Sequence, residues 1–142
     1  MKKLLVIFSM ILFFSCSSDD DAGDVVTTKF EKIKTILPQG EWIVSNFYDN
    51  GDQTIDFESF IFTFKTDGTV FGQNDLFTEN GTWEYSTTAV DGEQLLLQFQ
   101  GTVPFDRIIG VWDIISLTPE KVELSIGNVD NQNVKLLIFT QI

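Results

Sequence analysis

From Glu41 to the C-terminus, apolar side chains recur at every second position in short runs, and each run ends on a turn signal within eight to twelve residues. A period of two puts alternate residues on opposite faces of a strand, so each run has one face to bury and one to leave in water. Strands are expected at 41–48, 58–65, 69–73, 81–87, 94–100, 108–117, 121–127 and 133–141. Asp67-Gly68 stands between F-I-F-T-F-K and T-V-F and reads as a two-residue type I′ hairpin, whose central positions both need positive φ. Asn50-Gly51, Asn80-Gly81 and Asp91-Gly92 mark further reversals, and Pro119-Glu120 the loop between the sixth and seventh strands. Consecutive hairpins with no helix between them make a meander, and closing it removes the exposed edges. The expected fold class is all-β, a small eight-stranded antiparallel up-and-down barrel with a short N-terminal helix.

Alternation also names an interior. The inward set is Trp42, Val44, Asn46 and Tyr48, then Phe60, Phe62 and Phe64, then Trp83 and Tyr85, then Leu95, Leu97 and Phe99. Later strands add Val122, Leu124, Ile126, Val134, Leu136 and Ile138. The sixth strand, R-I-I-G-V-W-D-I-I-S-L, is apolar on both faces and needs a β-bulge or a cover. Thr28 can cap a helix with Phe30, Ile33, Ile36 and Leu37 on one side, stopped by Pro38 and Gly40. A helix this short is marginal alone, and the second face of the sixth strand is where it is expected to lie.

Ahead of the domain, residues 1–15 combine a basic start (Lys2, Lys3), an apolar stretch from Leu4 to Phe14 and the small Ser15. That is the layout of a secretory signal, and it is shorter than the roughly 20 residues a spanning helix needs. The chain divides into a signal peptide (1–15), an acidic tether (16–27) and the barrel domain (28–142). L-F-F-S-C, ending on the chain's one cysteine, resembles a lipobox, which implies lipid attachment at Cys16. The following Ser17, Ser18, Asp19, Asp20 and Asp21 resemble the export signal of Bacteroidetes-type lipoproteins. That resemblance implies an outer-membrane, lipid-anchored protein on the cell surface; the plainer reading of the run is a solvated linker. Several acyl chains, each methylene worth about 0.8 kcal/mol, would anchor it without a basic patch.

Gly40-Glu41-Trp42 opens the first strand just after the helix and resembles the G-x-W motif of lipocalins. F-x-F-K-T-D-G-T-V, G-T-W-E-Y and W-D-I-I-S-L, with L-S-I following, resemble the lipocalin-like domains of Bacteroidetes lipoproteins over about residues 28–142. The resemblance implies that Gly40 and Trp42 close one end of the barrel under a basic residue from a late strand. No such residue carries over directly, because Arg107 precedes the sixth strand and only Lys121 and Lys135 come later.

Composition narrows the function. The formal charge is −12, and −14 without Lys2 and Lys3, so neither nucleic acid nor an anionic lipid surface is an expected partner. Such acidity suits a soluble monomer. Histidine is absent, and neither a nucleophile elbow nor a phosphate loop is present, so no enzyme and no cofactor is expected. The loop D-N-G-D-Q-T-I-D-F-E (49–58) raises calcium, but Gly51 takes a ligand position of the EF-hand and its sixth position lacks glycine; a hairpin loop is the simpler account.

Two main function classes stay open, beside an enzyme that would need a cleft holding converging carboxylates such as Asp52, Asp56 and Asp106. In the first, a barrel holds a small hydrophobic or amphipathic ligand against Phe60, Phe62, Phe64, Trp83, Tyr85, Leu97 and Phe99, with Asn46 and Tyr48 as polar groups near its open end. In the second, those side chains fill the barrel, as small eight-stranded barrels often are filled. The protein is then a non-catalytic structural or interaction module of the envelope.

Overall fold

The computed structural model describes residues 29–88, 92–127 and 133–142. The signal peptide, Cys16, the serine and aspartate run and Thr28 lie outside the described residues. Eight strands follow one helix: β1 (Glu41–Asp49), β2 (Ile61–Phe64), β3 (Thr69–Gln73), β4 (Thr78–Thr88), β5 (Gly92–Phe99), β6 (Gly110–Leu117), β7 (Lys121–Ile126) and β8 (Lys135–Gln141). Each pairs antiparallel with the next, and β8 returns to β1, from Trp42 opposite Gln141 to Asp49 opposite Lys135. The barrel is closed and up-and-down, so among the described residues every strand has a partner on both sides. Among the described residues no helix is long and apolar enough to cross a membrane.

Two bulges reset the alternation. In β1 the pairing slips between Val44 and Asn46, leaving Ser45 as the extra residue; its hydroxyl accepts from Thr140 at 2.7 Å. The interior positions are therefore Trp42, Val44 and Phe47, while Asn46 and Tyr48 turn to the outer wall, a correction to the strict period of two. β8 is likewise shifted by one from the expected set: Leu137 and Phe139 are buried, and Leu136 and Ile138 face outward. In β6 the slip falls between Ile114 and Ser116. Trp112 and Ile114 point inward, and the bulged Ile115 and nearby Val111 stand in solvent.

The helix does not cover that outer face. α1 (Lys29–Ile36) leads into a 3₁₀ turn at Leu37–Gln39, and Ile33 and Leu37 are fully buried in the same core as Trp42. α1 packs on β4 and β6 and its 3₁₀ turn on β2. These strands are not neighbours around the barrel, so only an element lying across one end can reach all three. The helix is a lid on that end.

Two turn signals resolve differently. Lys65 and Thr69 bracket a three-residue loop, Thr66–Gly68, in which Gly68 has positive φ and Asp67 does not. The Asp67 carboxylate accepts from the Thr69 amide (2.9 Å) and hydroxyl (2.7 Å), which holds Asp67 in the geometry of a type I turn followed by a bulge. Asn80-Gly81 is not a reversal but lies inside β4. Gly81 is there for space: a β-carbon would meet the Gln98 carbonyl oxygen at 2.3 Å and the Phe99 ring at 2.7 Å. The true β3–β4 turn is Asn74–Phe77, capped by the Asn74 side chain on the Leu76 and Phe77 amides.

Candidate functional site

A binding site in a barrel has to be inside it or at one of its ends. At the lidded end the indole of Trp42, fully buried, donates to the Leu37 carbonyl at 2.9 Å, so the tryptophan holds the 3₁₀ turn that closes the barrel. Of the late-strand lysines, Lys121 pairs with Glu123 and Lys135 with Asp49. Gly40 is extended, with a β-carbon position directed at the Gln141 side chain. Trp83 donates to the Lys65 carbonyl at 2.9 Å and its amide to Gly68, which ties the β2–β3 turn to β4.

The opposite end, the mouth, is where the loops after β1, β3 and β5 converge. Phe57 sits on a 3₁₀ turn (Thr54–Phe57) and Phe105 on another (Phe105–Arg107), and both are fully buried. Phe105 lies 4.9 Å from Phe60, 5.1 Å from Phe99 and 5.7 Å from Phe62, ring centre to ring centre. Outside the rings, Arg107 donates to Gln53 at 2.9 Å and pairs with Asp56, joining the two loops over the plug. The pair is partly exposed and contributes little alone, about 0–1 kcal/mol. Glu79, almost wholly buried on β4, accepts from the Thr102 amide at 3.4 Å and holds the third loop.

Between the ends the axis is occupied. From Phe105 the ring contacts continue to Phe62, then Phe139 (5.2 Å), Phe64 (5.5 Å) and Trp83 (6.1 Å), most of them edge to face. Of the residues expected to line a cavity, Phe60, Phe62, Phe64, Trp83 and Leu97 are buried in this column, and Tyr85 and Phe99 pack against it. Asn46 and Tyr48 are on the outer wall and cannot serve an interior ligand. Alternation missed Phe47, Phe57 and Phe105; the last two stand in loops, where an apolar residue flanked by turn formers was the available signal.

The depressions on the outer surface are open. One, of about 930 Å³, lies beside the lid against Lys34, Asp67, Trp83, Glu84 and Tyr85. The Tyr85 phenol is pushed up to about 12, first by burial and then by the Glu93 carboxylate. Because the folded value lies above the ordinary 10.0, the folded state keeps this proton after the unfolded chain has lost it, and stability falls as pH rises from about 10 to about 12. A tyrosinate absorbance titration should leave one of the two tyrosines ionising near pH 12; completion of both by about pH 11 would contradict the burial.

The acidic loop is divided among separate partners. Asp49 pairs with Lys135 at 2.6 Å, Asp56 with Arg107, and Asp52 accepts from the Thr54 hydroxyl and amide, which hold its carboxyl below the usual range. Asp106 is exposed on the neighbouring loop. Among the described residues no three acidic, cysteine or histidine side chains gather as a metal site.

These features define a class, a closed eight-stranded antiparallel barrel with a helical lid and an aromatic core. No family model and no curated protein matches the chain. Among solved structures it is similar to a DUF4847 family protein from Bacteroides vulgatus ATCC 8482, with a TM-score of 0.53 and 17% identity over 76% of this chain and 96% of that one. The likeness is one of fold.

Proposed function

We propose that the chain is a lipid-anchored, non-catalytic module of the outer membrane that works through its surface and not through an interior pocket. The observation that supports the surface part of this reading is the run of ring contacts from Phe105 through Phe62, Phe139 and Phe64 to Trp83, side chains that an interior ligand would have to displace. The membrane partner follows from Cys16 and the Ser17–Asp21 run.

A small apolar ligand inside the barrel, the other open reading, requires the Phe57 and Phe105 plug to leave. Displacement of a fluorescent fatty acid, with native mass spectrometry of the full chain, separates the two: no stoichiometric complex is expected. A saturable one-to-one complex that quenches tryptophan would overturn the solid-module reading. Cys16→Ala in the same cells should move the protein out of the membrane fraction, and its retention there would remove the anchor.

A further inference from the structure

The mouth concentrates exposed apolar side chains in an acidic setting. Ile55 (73% exposed), Leu76 (95%) and Val103 (65%) stand on three of the loops at that end, with Phe77 at their edge. The contacts of Phe105 with Phe57, Phe60 and Phe77 bring these loops together, so the tips belong to one end of the barrel. Each of two depressions joins an apolar tip to carboxylates. Ile55 shares one of about 370 Å³ with Asp52 and Glu58, and Leu76 shares one of about 530 Å³ with Asp75. Asp106 is exposed beside the third tip. Residues 50–60, 74–77 and 100–109 contain no lysine, and their one arginine, Arg107, is already paired with Asp56.

Exposed apolar tips ringed by carboxylates define their complement. We propose that the mouth docks a cationic amphipathic segment of a partner protein, with apolar side chains on Ile55, Leu76 and Val103 and lysines or arginines facing Asp52, Glu58, Asp75 and Asp106. The inference rests on the surface-module reading above and names its partner's chemistry. Charge selects this occupant over two others. A second copy would bring an identical acidic mouth on a chain of net charge −12, and an anionic bilayer would be repelled in the same way. The apolar tips give affinity, and the carboxylates give approach rate and selection.

The test uses the full chain in phosphatidylcholine nanodiscs, with empty nanodiscs as the blank. The probe is a fluorescein-labelled peptide alternating lysine and leucine; an alternating lysine–serine peptide of equal charge is the comparison. The double variant Ile55→Asp with Leu76→Asp alters the mouth, and Val111→Asp with Ile115→Asp alters the exposed side wall; a thermal melt checks that each is folded. Saturable binding of the lysine–leucine peptide is expected to weaken at least tenfold in the mouth variant and to be unchanged in the side-wall variant. It should also weaken as salt rises from about 50 mM to about 500 mM. Equal binding of the lysine–serine peptide, indifference to the mouth variant or no saturation would overturn the proposal. If photocrosslinkers in intact cells then react with a partner at Val111 and Ile115 alone, the mouth proposal falls and the module reading stands. A fatty acid held in the barrel sinks that reading whatever the peptide does.

Discussion

Phe105→Ala is expected to lower the free energy of unfolding by about 3–5 kcal/mol, the range for deleting a fully buried ring. Phe105 is the hub of the mouth: its ring contacts Phe57, Phe60, Phe62, Phe77 and Phe99, drawn from the other two loops and from β2 and β5. Its seat is Gly72, where an added β-carbon would lie 2.1 Å from the ring. Truncation therefore removes apolar burial, two edge-to-face contacts and three tilted ones, and it leaves a void that strands closed into a barrel cannot easily collapse around. Gly72→Ala supplies the control. Alone it should destabilise, because the methyl and the ring cannot share the space; combined with Phe105→Ala it should recover part of the loss. A coupling of about 0.5–3 kcal/mol in that direction is expected from urea denaturation of the four proteins. The cavity in Phe105→Ala is apolar, so that variant and not the wild type should be stabilised by benzene. A loss below about 1 kcal/mol, or additive effects of the two substitutions, would mean that Phe105 does not plug the barrel.

The strands were legible because their signal is local. Period-two runs between turn formers locate the eight strands to within a few residues, and hairpin order follows from the short loops. What local pattern could not show is where pairing slips. Ser45 becomes a bulge through the register that β1 adopts against β8, and nothing in S-N-F-Y announces an extra residue; in β6 the two-faced apolar run called for a bulge or a cover, and the bulge at Ile115 is what the pairing with β7 makes. One slip was enough to move Asn46 and Tyr48 outward and bring Phe47 in. Asn80-Gly81 misled for a related reason, since a glycine needed for close approach to Gln98 and Phe99 looks the same in sequence as one needed for a turn. The inward aromatics Phe60, Phe62, Phe64 and Trp83 could be read from alternation, but whether they enclose space depended on Phe57 and Phe105 in the loops. The candidate site thus changed character through two residues outside any strand.

At the other end of the barrel, Trp42→Ala and Trp42→Phe separate what the lid draws from packing and from polar satisfaction. Trp42→Ala deletes a fully buried indole and should cost about 3–5 kcal/mol, with Ile33 and Leu37 losing the surface they bury against. Trp42→Phe keeps most of the apolar contact but removes the donor that reaches the Leu37 carbonyl at 2.9 Å. That carbonyl belongs to a fully buried residue, and leaving it without its partner should cost about 1–3 kcal/mol. Hydrogen exchange adds a spatial readout. In both variants the amides of residues 33–37 and 39 should exchange faster while those of β4 and β5 near Trp83 keep most of their protection, because the lid rests on the barrel end and the strands close on one another without it. Uniform acceleration across all strands would show instead that lid and barrel unfold as one unit. In that case Trp42 would act as a keystone of the whole domain, and loss of the lid could not be used to expose the column of rings beneath it.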